Sequence, residues 1–184
     1  VYFRLGEALR VQANFQGSLA AYHRADQLFQ QANDGFHRGV TLTFIGLVYG
    51  TSGDFASAFD YGYKALQVRE KNKKQDPTGA LWALCNIGRL FQEVEDYPTA
   101  IDYYYAKPRD YAKANGVSWK ILFYDKVAEC WWRMRQIDSA LHYMQAYLLG
   151  GSNDTVALEK RLQDTSERDF HIGEFHLIRN EYNE

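Results

Sequence analysis

Apolar and small residues recur along this chain at two marks in every unit. The first mark is a large aliphatic residue followed by a small one: Leu5-Gly6, Ile45-Gly46, Ile87-Gly88 and Val127-Ala128, at spacings of 40, 42 and 40 residues. Twelve residues after each small residue stands another, Ser18, Ala58, Ala100 and Ala140, in the same spacing. Between the marks come Leu9, Tyr49, Phe91 and Trp131, and then the turn signals Asn14-Phe15, Gly53-Asp54-Phe55, Asp96-Tyr97 and Gln136-Ile137. Each unit reads as two short helices, A and B, joined by a turn. A single hairpin cannot bury its own apolar stripe, so successive hairpins must stack on one another. Small residues at the marks let A and B approach closely. Tyr2, Leu42, Leu84 and Tyr124, three positions before each aliphatic mark, then fill the seam at helical spacing, continued by Leu19, Phe59, Ile101 and Leu141.

The pattern predicts an all-α solenoid of antiparallel helix pairs over residues 1–150. Four hairpins cover about 1–36, 37–75, 76–116 and 117–150. The helices are expected near 1–12 and 16–31, 37–51 and 55–72, then 118–134 and 138–149, with Asn33-Asp34-Gly35 and Asn115-Gly116 as closing turns. Asp76-Pro77 reads as the N-cap and first residue of the third hairpin, and Pro98 serves its B helix in the same way. Pro108 falls inside that B helix, where it removes a donor and crowds the preceding turn, so a kink or break is expected at 106–108. Residues 151–184 are read as capping or connecting helices, or a partial fifth repeat echoed by Ile172-Gly173.

These residues resemble the tetratricopeptide repeat family, whose helix A carries an aromatic, Leu-Gly and Tyr, and whose helix B carries Ala, an aromatic and Ala. The helix-B triads here are Ser18, Tyr22, Ala25; Ala58, Gly62, Ala65; Ala100, Tyr104, Lys107; and Ala140, Met144, Tyr147. The last two depart from the final Ala, which predicts that their B helices splay or tilt. The resemblance implies a right-handed superhelix. The family period is about 34 residues, so longer helices or connections must absorb the extra length. Extended copies of this kind are similar to those of kinesin light chains, polarity scaffolds and the sensor regions of bacterial two-component kinases and regulators.

Composition narrows the possible partners. The net charge is −2, with 21 Lys and Arg interleaved among 23 acids, so no basic stripe points to nucleic acid. No apolar run is long enough for membrane insertion. The chain opens on Val1, inside its first helix, and reads as a piece of a larger protein with further domains; an array with uncapped ends also allows a homodimer. Cys85 and Cys130 stand at unequal helix-A positions and are expected to face apart, which disfavours a disulfide.

Catalytic and metal-binding patterns are weak. His171 and His176 are five apart, on different helix faces, unlike the i, i+4 pair of a zinc helix, and Glu93 and Glu95 cannot converge from one helix. The chain around His176 lacks the acidic neighbour of a phosphoacceptor box. No cofactor, metal or catalytic residue is assigned. In the family, helix A lines the concave groove; carried over position by position, that face comprises Arg4, Glu7 and Arg10, then Thr43, Phe44 and Leu47, then Asn86, Arg89, Gln92 and Glu93, then Asp125, Lys126, Glu129, Trp132 and Arg133. Asn86 is similar to the helix-A asparagine with which long arrays hold a peptide backbone, and Arg89 one turn on suits a carboxylate. Trp82 and Trp132 are possible anchors. Phe3 and Glu7 stand where a carboxylate clamp for chaperone tails would need Lys and Asn. The resemblance therefore implies a protein- or peptide-binding module, or the sensory region of a larger signalling protein.

Overall fold

The computed structural model describes residues 1–117 and 123–149, and these form helices and turns without a strand. The helices are α1 (Tyr2–Val11), α2 (Phe15–Gln31), α3 (Gly35–Thr51), α4 (Phe55–Lys71), α5 (Gly79–Glu93), α6 (Tyr97–Ile101), α7 (Lys107–Asn115), α8 (Tyr124–Arg133) and α9 (Ile137–Leu149), with a π turn, Asp102–Ala106, joining α6 to α7. They pair in chain order as antiparallel hairpins: α1 on α2, α3 on α4, α5 on the α6–α7 helix, and α8 on α9. The expectations for 151–184, including His171 and His176, lie outside the described residues.

One turn design sets the repeat length. Ala13, Asn33, Gly53, Glu95 and Arg135 each adopt a left-handed backbone, at φ of 57°, 53°, 84°, 62° and 58°. The first four are each followed by an N-cap, Asn14, Asp34, Asp54 or Asp96, whose side-chain oxygen accepts a hydrogen bond from the backbone three residues on, at 3.0–3.2 Å. The left-handed residue reverses the chain and the cap satisfies a donor of the new helix. Helices α2, α3 and α4 are each 17 residues long, and three-residue turns separate α1 through α4. Helix plus turn is one 20-residue step and a hairpin is two. The extra length over the family period therefore sits in the helices. The 42-residue interval comes from the longer connection between α4 and α5.

That connection corrects one expectation. Asp76 does not cap α5, which starts at Gly79 behind Thr78 with no side-chain cap. Its carboxylate instead accepts from Arg69 Nη1 at 3.1 Å, both side chains being about nine-tenths buried. A guanidinium buried on α4 without a counter-charge would cost more than a helix start without a side-chain cap. Gly39 and Gly79 make the room: a Cβ would lie 2.7 Å from Arg69 Cγ at the first and 2.0 Å from Asp76 Oδ2 at the second.

The marks are interior. Gly6, Gly46, Gly88 and Ala128 are buried, as are Ser18, Ala58, Ala100 and Ala140, and Ser18 Oγ donates to the Gly6 carbonyl at 2.8 Å across the first hairpin. One apolar cluster joins Tyr22, Leu42, Ile45, Val48 and Ala65 of the first two hairpins; a second joins Cys85, Ala100, Tyr104, Val127 and Cys130 of the last two. Burial runs across hairpin boundaries, as a stacked array requires. Two details differ from expectation. Tyr2 and Leu5 are 41% and 46% exposed on the outer side of α1. Cys85 and Cys130, expected to face apart, share the second cluster and are free thiols.

The third hairpin shows how a proline is taken into a B helix. The helix does not break: it runs from Tyr97 to Asn115 through the π turn and ends at Gly116, φ 62°. Along α2 and α4 the buried positions advance by four and then three residues, Ser18, Tyr22, Ala25 and Ala58, Gly62, Ala65. In the third hairpin they advance by four each time, Ala100, Tyr104, Pro108, Ala112. The π turn winds in one extra residue, next to a proline that has no N–H to give. Pro108 thereby takes the core place of the family's small residue. Lys107 turns outward, pairing with Asp102 and lying 4.7 Å from the centre of the Tyr103 ring.

Candidate binding groove

Helix A of the second hairpin lies beside helix A of the third, α3 touching α5. Between them, with α4 as the floor, is a slot lined by Thr43, Gly46, Leu47, Ala58, Gly62, Ala65, Ala83, Asn86, Arg89 and Leu90. Its empty space, open mouth included, is about 270 Å³, short of the roughly 300–1,000 Å³ of pockets that enclose a drug-sized ligand. Most of that space is the open mouth: the enclosed part is about 10 Å³, roughly the size of one water molecule. Polar groups sit at Thr43, Asn86 and Arg89, and the rest of the lining is small or aliphatic.

The slot exists because of one residue type. In the first hairpin the Tyr22 ring lies over Gly6, where a Cβ would meet Cδ1 at 2.6 Å; in the third, Tyr104 lies over Gly88, with Cδ1 at 3.2 Å. The corresponding residue of the second hairpin is Gly62. Over Gly46 there is no ring, only the Ala58 carbonyl at 3.2 Å, the Gly62 nitrogen and the Tyr61 Cβ. Ile87 and Leu90 lean toward Gly62, at 3.2 and 3.7 Å from where its Cβ would stand, and the space left beside them is the slot.

Of the fifteen residues expected on the binding face, Thr43, Leu47, Asn86 and Arg89 meet at this slot. Thr43 Oγ1 donates to the Gly39 carbonyl at 2.9 Å and Asn86 Nδ2 to the Trp82 carbonyl at 2.8 Å, each within its own helix. Asn86 keeps its side-chain carbonyl and a second N–H for another partner. Arg89 Nε is buried and has no acceptor. The other eleven do not line it. Arg4 Nη1 pairs with Glu7 at 2.9 Å on α1. Gln92 Oε1 accepts the Tyr104 hydroxyl at 2.8 Å, and Glu93 is exposed. On α8, Lys126 Nζ pairs with Glu129 at 3.1 Å; Trp132 is half-buried and Arg133 exposed. Asp125 Oδ1 is buried without a partner, and burial holds its carboxyl above the usual carboxylate range. Arg10 lies over the Phe44 ring, 5.6 Å from its centre. Trp82 is 47% exposed and packs edge-on against Phe123 at 5.3 Å.

The wall residues Gly46, Ala58, Gly62, Ala65, Ala83 and Leu90 were not among the expected site residues. The signal was nonetheless in the sequence. Gly62 is the one glycine in the column that otherwise holds Tyr22, Tyr104 and Met144.

Residues 1–71 match the family model described as tetratricopeptide repeat. These hairpins are tetratricopeptide repeats. The later helix pairs continue the same two-mark packing, with Gly88 on Ala100 and buried Ala128 and Ala140. No curated protein matches the chain. Among solved structures it is similar to a chain from a crystal structure of MamA protein, at 14% identity, covering 92% of this chain and 94% of that one with a TM-score of 0.29. Tetratricopeptide repeats generally mediate protein–protein interaction and are typically non-enzymatic scaffolds. Among the described residues no helix is long and apolar enough to cross a membrane.

Proposed function

We propose that this chain is a non-enzymatic peptide- or protein-binding module whose A helices hold an extended segment of a partner across the junction of the second and third hairpins. One observation carries the reading: Thr43 and Leu47 on one repeat and Asn86 and Arg89 on the next, over forty residues away in sequence, border a single slot. An extended peptide needs its backbone amides paired, and the free half of the Asn86 amide can both donate and accept. Arg89 adds a fixed positive charge that suits a carboxylate. A solenoid presents this kind of extended surface to its partners.

The test is a double substitution, Asn86→Ala with Arg89→Ala, assayed by direct binding of peptides selected on the wild-type protein. Losing a charged hydrogen bond and a neutral one at the site predicts at least a tenfold weaker Kd, with the helical circular dichroism unchanged. Affinity equal to wild type would exclude the groove.

A further inference from the structure

We propose a second interaction surface, separate from the slot: a cluster of lysines without carboxylate partners, beside the connection between the second and third hairpins, that binds an acidic polypeptide segment. Seven lysines lie among the described residues. Three pair with nearby carboxylates, Lys64 with Asp60, Lys107 with Asp102 and Lys126 with Glu129. The other four, Lys71, Lys73, Lys74 and Lys113, are exposed, and all four meet at one edge of the array. Lys71 closes α4, Lys73 and Lys74 lie in the connection to α5, and Lys113 is in the last turn of α7. Lys73 Nζ donates to Asn115 Oδ1 at 2.9 Å, which holds the connection against the end of α7 across 42 residues of chain. Segments 69–76 and 109–117 together hold six cations and three acids, in a chain of net charge −2. Of those acids, Asp76 pairs with Arg69 and Asp110 with Arg109, which leaves Glu70.

Helix electrostatics account for only half of the cluster. A lysine in a last turn is favoured by the helix C-terminus, which explains Lys71 and Lys113. Lys73 and Lys74 lie beyond α4, in the longer connection that sets the 42-residue interval. That loop is tied at its base, Asp76 to buried Arg69 and Asn72 Nδ2 to the Val68 carbonyl at 2.7 Å. The backbone carrying the ammonium groups is thus fixed before a partner arrives, which lowers the ordering cost of binding. Charge complementarity names the occupant. A single-stranded nucleic-acid site adds aromatic rings for stacking, and a membrane site adds apolar side chains for insertion. Lys71–Gln75 has neither. The complement is a row of carboxylates, and in repeats that generally mediate protein–protein interaction it comes from a polypeptide.

The test titrates the full chain into fluorescein-labelled octaglutamate, followed by anisotropy at low and at raised salt. Lys71→Gln/Lys73→Gln/Lys74→Gln should weaken binding roughly tenfold, the sum of several surface ion pairs, and raised salt should weaken binding to wild type. Arg24→Gln/Lys64→Gln/Arg135→Gln removes the same net charge from exposed positions elsewhere and should change the Kd less than about twofold. Asn86→Ala/Arg89→Ala should bind octaglutamate as wild type does; loss of binding there would move the acid to the groove and overturn the lysine surface. Equal weakening by both charge variants, or none by the first, would also overturn it. Two further arms need only wild-type protein: binding of oligothymidylate or of phosphatidylserine vesicles as tight as that of octaglutamate would reassign the surface. A dimer in sedimentation that the lysine variant abolishes would assign it to a second copy and overturn the proposal as well.

Discussion

Arg69 is the most consequential buried charge in this fold, and removing its partner should unfold the junction between the second and third repeats. It reaches from α4 across Gly39 of α3 to Asp76 before α5, with side-chain exposures of 9% for Arg69 and 12% for Asp76. Burial pulls its pKa down and the Asp76 carboxylate opposes that pull. Asp76→Ala leaves the guanidinium buried and unpaired, which typically costs about 3–5 kcal/mol. At roughly 2–4 °C per kcal/mol for a chain of this size, the melting temperature followed by circular dichroism should fall by about 6–20 °C. The pair is held by one contact, and Arg69 Nε has no acceptor, so it is not an optimised ion pair. Replacing both members, Asp76→Ala with Arg69→Met, should therefore recover most of the loss, because an apolar side chain of similar length fills the space without a desolvation cost. A single-mutant shift below about 3 °C, or a double mutant no better than the single, would refute this reasoning.

Further outcomes follow from the same geometry. Gly6→Ala puts a methyl 2.6 Å from the fully buried Tyr22 ring, and overpacking of this kind should cost about 1–3 kcal/mol in a urea melt. The caps Asp34 and Asp54 have carboxyls held below their ordinary value, Asp34 chiefly by the His37 backbone N–H and Asp54 by the Ser57 hydroxyl and N–H. A depressed folded pKa means stability that is present above the unfolded value and lost as pH falls through the folded one. Acid melts from about pH 5 to 3 should show that decline, and Asp34→Asn should flatten part of it. Burial raises both thiols, Cys130 to about 12 and Cys85 further. At pH 8 a disulfide reagent should label neither thiol promptly in the native protein and both in guanidinium.

The fold was legible in the sequence wherever one residue decides a local structure. Asn14, Asp54 and Asp96 announced their helices, Gly116 closed α7, and the paired small residues fixed which faces meet. What was not legible depended on partners distant in the chain. Asp76-Pro77 has the local form of a helix start, but Arg69, seven residues earlier, claims its carboxylate. Pro108 looked like a helix breaker; the π turn shows that one added residue lets it replace Lys107 in the core. Tyr2 and Leu5 carry the repeat's pattern and yet are 41% and 46% exposed. For the site, the A-helix register picked out Thr43, Leu47, Asn86 and Arg89. It said nothing of the wall that helix B supplies, where Gly62 stands in place of an aromatic ring.

Chemical-shift mapping on the ¹⁵N-labelled protein with a selected peptide tests the central claim most directly. Perturbed amides should cluster at residues 43–47, 58–65 and 83–90, where α3, α4 and α5 enclose the slot. Perturbations centred instead on Arg4 and Glu7, on Arg109 and Lys113, or spread evenly over the array would contradict it.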